Sequence, residues 1–430
     1  MRIQELHLQN FRGFKDLKIT FPESNVAVFI GVNGVGKSSI LDAISILLSL
    51  AVSKFFGSNS KRQPFSLTED DINVEADRAS INMLASFEEE FFDFHAERDR
   101  KKKGILNKKE ILTQYIHKKL QNNSDSNLPI LVYYQTNRYI SQSTSSSGDS
   151  SVKPYDFAQL HALQNAFVRN FSSFDDFVNW FVAEEDLENQ IISRNDRDYI
   201  NKNLQVIRET VKVFFTSLHT SHFSDLRVVR TRASNAFSYA STITSSLEIN
   251  KKGQPIKINR LSEGEKSLLI IVCDIARRLT IANPSLNNPR EGQGIVIIDE
   301  IDAHLHPQWQ REVIPALQTT FPNCQFITST HSPQVLSNVH RSNILILENW
   351  EIVEETPYSY GRDTNSILYE LMGVEERPRE IRERLDECFH LIDSGETESA
   401  KARLLELRGQ LGENDPDIIR ALTTIDFLTD

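Results

Sequence analysis

The feature that most constrains this 430-residue chain is the octapeptide Gly-Val-Asn-Gly-Val-Gly-Lys-Ser at residues 31–38, which fits the pattern G-x-x-x-x-G-K-[ST]. Its glycines let the backbone turn so that successive N–H groups face one anion, and a following helix offers its positive end. The apolar run Val26–Ile30 precedes the loop, and apolar residues recur at helical spacing from Ser38 to Leu50. The sequence therefore predicts a strand–loop–helix unit that binds nucleotide phosphates.

Within this unit, Lys37 is expected to place its charge on the β- and γ-phosphates, and Ser38 to ligate Mg²⁺ through its hydroxyl. We therefore expect ATP and Mg²⁺ as cofactors. The residues expected to contact the nucleotide in this segment are Asn33, Gly34, Val35, Gly36, Lys37, Ser38 and Ser39.

A second segment supplies carboxylates. The apolar run Gly294–Ile298 reads as a buried strand, and Asp299 and Glu300 follow it directly. At the carboxyl end of such a strand, Asp299 can hold the Mg²⁺ shell and Glu300 can polarise the attacking water.

Two further segments narrow the class. Residues 261–267 read Leu-Ser-Glu-Gly-Glu-Lys-Ser, in which Ser262, Gly264 and a helix dipole can form a cap for an anion, with Glu265 in the first turn. An ordinary N-cap with a capping-box glutamate would give the same pattern. His331 follows the apolar strand at 325–327, where an incidental turn histidine is the plainer interpretation.

In this order and spacing the segments resemble the motifs of ABC-type ATPases, including the SMC and recombination-repair branch. The resemblance implies that Ser262 and its neighbours complete the γ-phosphate site of an opposing subunit, and that His331 contacts the γ-phosphate and the attacking water. It places Asp302 in the segment that crosses to the partner subunit. Arg12, in Asn-Phe-Arg-Gly-Phe, resembles an arginine that reaches the nucleotide, although a surface arginine fits equally well. Gln135 is the candidate for the glutamine that senses Mg²⁺, but no spacing fixes it.

Composition limits the other classes of function. The chain has 48 basic and 59 acidic residues and a formal net charge of −11, so nucleic acid contact requires a local patch. The basic run at 98–109 could be such a patch, or a solvated helix face. Cys273, Cys324 and Cys388 are too dispersed for a disulfide framework or a thiolate cage, and His304 with His306 lacks an evident third metal ligand.

The element pattern predicts an α/β fold with a compact helical insertion and a C-terminal helical tail, and the resemblance implies an ABC-type ATPase head with a mixed β-lobe and a parallel-sheet core. We divide it into an N-terminal lobe at 1–155, the insertion at 156–222, a second lobe at 223–370 and the tail at 371–430. The tail has apolar stripes suited to oligomer or partner contact, or to burial within their own domain. No long apolar segment or signal peptide is expected, so a cytoplasmic protein without membrane partners is predicted.

Over roughly residues 1–370 the chain is similar to ABC-type ATPases of prokaryotic defence systems, and most similar to the Septu ATPases (PtuA). This resemblance rests on the motifs above, on Tyr-Tyr-Gln-Thr-Asn-Arg at 133–138 and on the Gly-Arg-Asp-Thr-Asn segment at 361–365. It implies at least a dimer, with an HNH-type nuclease as partner and DNA contacted through the complex during phage infection.

Alternative classes share parts of this pattern. An overcoming-lysogeny nuclease would carry a TOPRIM domain after His331, and Asp415 and Asp417 superficially fit its acidic pair. We interpret them as helix-cap residues. An armless repair ATPase that binds DNA ends or gaps stays open, whereas the central insertion disfavours a transporter ATPase and the absence of long heptads disfavours arm-bearing members.

Overall fold

The computed structural model describes residues 1–56, 65–102, 105–108, 111–136, 157–168, 173–194, 198–219, 223–233, 242–354, 356–375 and 377–429. The chain divides into two compact units, Met1–Thr364 and Asn365–Asp430. The finer four-part division stays a prediction.

The elements follow one another along the chain as strands and helices of ordinary length. The strands are β1 (Arg2–Phe11), β2 (Phe14–Thr20), β3 (Val26–Ile30), β4 (Arg78–Phe87), β5 (Glu90–Asp99), β6 (Ile105–Lys108), β7 (Ile130–Tyr134), β8 (Phe223–Ala233), β9 (Thr242–Lys251), β10 (Gln254–Lys257), β11 (Gly294–Ile298), β12 (Cys324–Ser329), β13 (Ile344–Glu348) and β14 (Glu351–Ile352). The α-helices are α1 (Lys37–Ser53), α2 (Ile111–Asn122), α3 (Ser173–Arg194), α4 (Lys202–Ser217), α5 (Glu263–Ala282), α6 (Pro307–Thr320), α7 (Pro333–Leu336), α8 (Thr364–Met372), α9 (Arg379–Asp393), α10 (Thr397–Leu411) and α11 (Pro416–Thr429).

The largest sheet forms the core of the first unit, in the order β14-β13-β3-β12-β11-β7. β3, β12, β11 and β7 pair in parallel, and every residue in these four strands is buried. Strands covered on both faces read as continuous apolar runs, which is why Val26–Ile30 and Gly294–Ile298 could be recognised in the sequence. Parallel pairing brings the carboxyl ends of these strands to one edge of the sheet. The predicted α/β class is confirmed.

The described residues of this unit also form two antiparallel sheets, one in the order β2-β1-β4-β5-β6 and one in the order β10-β9-β8. β4 alternates buried and less buried residues, as expected for a sheet with one face on the core. The basic run at 98–109 spans the end of β5 and all of β6, so interpreting its described part as a helix face was wrong. Its remaining positions, 103–104 and 109, lie outside the described residues.

The insertion contributes α3 and α4, and α4 packs against α5 and α6. The aromatic side chains of Phe174, Phe177 and Phe181 on α3 are buried and belong to the core. Within the described ranges, no helix is both long and apolar enough to cross a membrane.

The second unit is built around α9, α10 and α11, whose apolar stripes pack against one another. The cluster consists of Leu385, Cys388, Ile392, Ala400, Leu404, Leu407, Ile418, Ala421 and Ile425. The stripes that suggested partner contact are therefore buried within their own unit. Asp415 accepts hydrogen bonds from the backbone N–H groups of Asp417 (3.1 Å) and Ile418 (3.3 Å) at the start of α11, and it also pairs with Arg377. It is a cap, as expected, rather than part of an acidic nuclease pair.

Adjacent leucines on α10 provide a test of this small core. Leu404 is fully buried, whereas Leu405 is 55% exposed. We expect Leu404→Ala to destabilise the second unit by about 2–5 kcal/mol, because a buried leucine leaves a cavity, and Leu405→Ala to have little effect. Hydrogen exchange of the full chain measures this: Leu404→Ala should speed exchange in α9–α11 and leave α1 and α5 unchanged. Equal effects of the two substitutions would contradict the assigned packing.

Candidate active site

The glycine-rich loop lies between the end of β3 and the start of α1, as the spacing predicts. Gly31, Gly34 and Gly36 have φ values of 147°, 83° and 106°, in the region that side-chain-bearing residues rarely adopt. A Cβ on Gly36 would lie 2.5 Å from the Phe14 ring, and one on Gly31 would collide with the carbonyl oxygen of Leu347. The loop therefore requires glycine for both its backbone shape and its close packing.

Lys37 is the first residue of α1, and its side chain folds back over the loop. Its Nζ donates hydrogen bonds to the carbonyl oxygens of Gly31 (2.8 Å) and Val32 (3.1 Å). Burial lowers the pKa of Lys37, and the nearby carboxylates of Asp299 and Glu300 oppose that effect. A largely buried cation over backbone carbonyls can exchange those contacts for phosphate oxygens, which are stronger partners.

Asp299 is the residue on which several hydroxyls converge. It directly follows β11, is 6% exposed, and accepts hydrogen bonds from Ser38 Oγ (3.2 Å), Thr136 Oγ1 (3.2 Å) and Ser329 Oγ. These donors come from α1, the segment after β7, and β12. The parallel sheet therefore brings three separate parts of the chain to one carboxylate.

The residues present fit a magnesium ion. Ser38 Oγ and Asp299 Oδ1 are hard oxygen ligands 3.2 Å apart at the phosphate-binding loop, and Mg²⁺ in nucleotide sites takes one or two protein ligands besides phosphates and waters. Among the described residues no group of three or more His, Cys, Asp or Glu could hold a metal ion.

Glu300 adopts a left-handed backbone conformation with φ of 48°, which a glutamate adopts only when its surroundings impose it. Its backbone N–H donates to Ser329 Oγ (2.8 Å), and that hydroxyl in turn donates to Asp299. The N–H of Ile301 donates to the carbonyl oxygen of Ser329 (3.0 Å). Ser329 thus fixes the turn that carries the predicted catalytic glutamate.

His331 and Asp302 are joined within one chain. An oxygen of the Asp302 carboxylate accepts hydrogen bonds from the Thr330 hydroxyl and, at 3.4 Å, from the backbone N–H of His331. Burial lowers the pKa of His331, and the positive charge of Lys37 lowers it further. Both effects favour the neutral imidazole, whereas the carboxylates of Asp302, Glu300 and Asp299 favour its charged form and only partly offset them. Asp302, predicted to face a partner subunit, positions the histidine segment of its own chain.

The segment at 261–267 opens α5. The exposed Ser262 is the N-cap, and Glu265 bonds back to the Ser262 backbone N–H (3.0 Å), completing a capping box. Glu265 also pairs with Lys251 and is 7% exposed, so its side chain is engaged inside its own chain. A Cβ on Gly264 would collide with the carbonyl oxygen of His304. This glycine therefore allows close packing of α5 on the segment that follows Glu300.

Arg12 lies in the turn between β1 and β2, with φ of 51°. Its guanidinium donates to Asp71 (2.9 Å), Asp42 (2.9 Å) and Ser39 (3.2 Å). Burial disfavours the charge of Arg12, but Asp42 and Asp71 outweigh that effect and raise its pKa. Arg12 is thus anchored to the helix that carries the phosphate-binding loop, and its contact with nucleotide stays a prediction.

Gln135 directly follows β7, at the same sheet edge as Asp299, and its neighbour Thr136 contacts that carboxylate. The structure therefore places this segment at the site, while the role of Gln135 stays a prediction. The segment's continuation at 137–138 lies outside the described residues.

Sequence reasoning missed three residues at this site. Ser329 and Thr136 had a detectable signal, since each lies at the carboxyl end of a buried strand. Trp350 had none: it lies in the β13–β14 turn with φ of 68°, packs edge-on against Phe14 at 5.2 Å, and covers Gly13 and Gly36. Its position depends on the hairpin and not on any motif.

A family model described as "AAA domain, putative AbiEii toxin, Type IV TA system" matches residues 26–337. The chain is 28% identical to the "Retron Vc95 probable ATPase" of Vibrio cholerae serotype O1 biovar El Tor, over 94% of this chain and 86% of that protein. It is 26% identical to the "Septu protein PtuA" of Bacillus thuringiensis, over 87% of this chain and 85% of that protein. The predicted resemblance to Septu ATPases is confirmed.

Among solved structures, the SMC head domain from Thermotoga maritima aligns with a TM-score of 0.43 and 17% identity, over 83% of this chain and 100% of that one.

The lowered pKa of His331 has a consequence for stability. The unfolded chain binds this proton more readily than the folded one, so the contribution of His331 is fully present above about pH 6.5 and is lost as pH falls through the lower folded pKa. Between about pH 7 and about pH 5, we expect the melting temperature of His331→Gln to fall less than that of the wild type. Calorimetry without nucleotide measures this. His390→Gln, at an exposed histidine of the second unit, is the control. Identical losses in wild type and His331→Gln would refute the assignment.

Proposed function

The chain belongs to the family described as "AAA domain, putative AbiEii toxin, Type IV TA system", and on that premise we propose that it works as a dimeric ATPase that controls an HNH-type nuclease in anti-phage defence. The predicted ATPase activity is confirmed by this membership and by the relatives named as ATPases. The dimer, the nuclease, the magnesium ion and the roles of single residues belong to the proposal.

The site's geometry supports a positioning and electrostatic mechanism of phosphoryl transfer to water. Lys37 moves from loop carbonyls to phosphate oxygens, while the backbone N–H groups of the loop hold the phosphate chain. A magnesium ion bound by Ser38 and Asp299 would neutralise charge on the β- and γ-phosphates. Glu300 accepts a hydrogen bond from the attacking water and orients it. His331, neutral in the nucleotide-free site, donates from its ring to the γ-phosphate.

The exposed N-terminus of α5 is the structural feature that best supports the proposed dimer. This helix has 20 residues, and Ser262 and the adjacent Glu263 at its start are exposed. The phosphate-binding loop is also open to solvent at Val32, Asn33 and Gly34. An anion on one subunit's loop and the positive helix end of another are complementary, so two copies can each complete the other's site.

The nuclease partner rests on the resemblance to the Septu and retron relatives, which extends over most of this chain. The proposed arrangement has DNA contacted through the complex, because the chain's own net charge of −11 repels phosphodiesters. ATP-driven association would change the surface offered to the nuclease and thereby regulate cleavage. The alternative function is that of an armless repair ATPase that binds DNA ends or gaps.

Glu300→Gln tests the ATP-driven association. The substitution removes the water's acceptor and leaves the phosphate contacts of Lys37 and Ser38 in place. We expect turnover to fall by about a hundredfold or more while ATP stays bound and dimers accumulate. Phosphate release and light scattering with and without ATP measure the two effects. Wild-type turnover in Glu300→Gln would refute the assigned role.

Ser262→Arg separates a composite site from a self-contained one. Ser262 is exposed, so an arginine there can extend into solvent and obstruct a nucleotide brought by another subunit, and its own chain loses only the N-cap hydrogen bond from the Glu265 backbone N–H, about 1 kcal/mol. Gly264→Asp is unsuitable, because it would collide with the His304 carbonyl of its own chain. We expect Ser262→Arg to bind ATP without hydrolysing it. Mixing it with Lys37→Ala, which is also inactive, should restore partial turnover. A fully active Ser262→Arg variant would contradict the dimer.

The nuclease assignment is tested by purifying the tagged chain with its neighbouring reading frames co-expressed. We expect an HNH-type protein to co-purify in a stable ratio, and its DNA cleavage to depend on the nucleotide state of the ATPase. The Glu300→Gln variant, which is expected to retain ATP, and the Lys37→Ala variant, which lacks a phosphate contact, provide the two nucleotide states to be compared. Absence of such a protein, together with binding of the chain to gapped DNA, would favour the repair ATPase.

A further inference from the structure

Two successive tyrosines close strand β7, the last strand of the parallel sheet in the described order. Tyr133 and Tyr134 are 9% and 5% exposed. Because successive side chains of a strand point to opposite faces, the two hydroxyls reach different helices. The next residues, Gln135 and Thr136, lie at the site.

Tyr133 reaches the helix that begins with Lys37. Its hydroxyl donates to Asp42 Oδ1 (3.2 Å) on α1. The other oxygen of Asp42 accepts from Arg12 (2.9 Å), and Arg12 also donates to Ser39 (3.2 Å). This first path therefore ends on the residues that follow the phosphate-binding loop.

Tyr134 reaches α5, the helix that begins after Ser262. Its hydroxyl donates to Asp274 Oδ2 (2.8 Å), and Asp274 pairs with Arg277 (2.7 Å) and Arg278 (2.8 Å). Asp274 and Arg278 are fully buried. Arg278 also donates to the carbonyl oxygens of Ala162 (2.6 Å) and Gln164 (3.0 Å). This second path fixes α5 against β7.

Both hydroxyls remain donors at working pH. Burial raises the pKa of each tyrosine, and the adjacent carboxylates, Asp42 for Tyr133 and Asp274 for Tyr134, raise it further. A phenylalanine would fill the same volume without a buried polar group, so packing alone does not account for two adjacent, buried hydroxyls that are each bonded to a carboxylate.

We propose that Tyr133 and Tyr134 are positioning residues that join the Gln135–Thr136 segment to the two helices of the ATPase site. Tyr133 sets the segment against α1, which follows the phosphate-binding loop, and Tyr134 sets it against α5. Thr136 completes the path by donating to Asp299 (3.2 Å). The assignment of Tyr134 to turnover rests on the proposed role of the α5 terminus in hydrolysis.

Phenylalanine substitutions separate the two paths. We expect Tyr133→Phe to raise KM for ATP about five- to tenfold with kcat within about twofold of wild type, because the nucleotide-holding helix loses its anchor. We expect Tyr134→Phe to lower kcat about five- to tenfold with KM nearly unchanged. Tyr115→Phe is the control, since the Tyr115 hydroxyl on α2 donates to Glu88 (2.6 Å) in the turn between β4 and β5.

Steady-state ATPase assays, binding of a fluorescent ATP analogue and melting temperatures are measured on the same full-chain preparations. If the two tyrosines only stabilise the fold, both substitutions should lower the melting temperature, and the two variants should not differ from each other in kcat or KM. That result would overturn the proposal. If Tyr134→Phe does not fold, Thr136→Val tests the contact with Asp299 in which both paths end and should lower kcat; an unchanged kcat there overturns the proposal. If Ser262→Arg is inactive but Tyr134→Phe has the kcat of the wild type, this inference alone is refuted. If Ser262→Arg is active, the proposed dimer is refuted.

Discussion

The parallel pairing of β3, β12, β11 and β7 is the constraint on which the rest of the site depends. Each strand is short, buried and ends at the same edge of the sheet. Backbone hydrogen bonds fix the register of the four strands, so the loop, Asp299, Ser329 and the Gln135–Thr136 segment meet without any of them being near in sequence. No single helix or loop could bring these groups together.

Asp299 shows how this edge tolerates a buried charge. A carboxylate in an apolar sheet is costly unless its lone pairs are satisfied, and three hydroxyls from three elements satisfy them. One of the three, Ser38, is also a predicted magnesium ligand. The same hydrogen bonds that stabilise the carboxylate therefore preorganise the oxygen ligands around it.

Contacts within one chain changed the interpretation of several motif residues. Glu265 completes a capping box and pairs with Lys251, Gly264 permits close packing, and Asp302 holds the His331 segment. Each has a local structural role that coexists with the proposed composite site. Ser262, also a motif residue, caps α5 but is exposed at the helix terminus, which makes it the informative probe of a second subunit.

The sequence by itself determined the phosphate-binding loop, the carboxylates after a buried strand, the helix opening at 261–267 and the α/β class. These follow from local rules: glycine spacing, apolar runs and caps act over a few residues of chain. Only the tertiary structure decided that Ser329 and Thr136 bind Asp299, that Asp42 and Asp71 anchor Arg12, that Trp350 covers Gly36, and that the tail helices bury their own stripes. Those contacts join residues that are mostly far apart in the chain, and strand order and helix packing, which no local pattern encodes, bring them together.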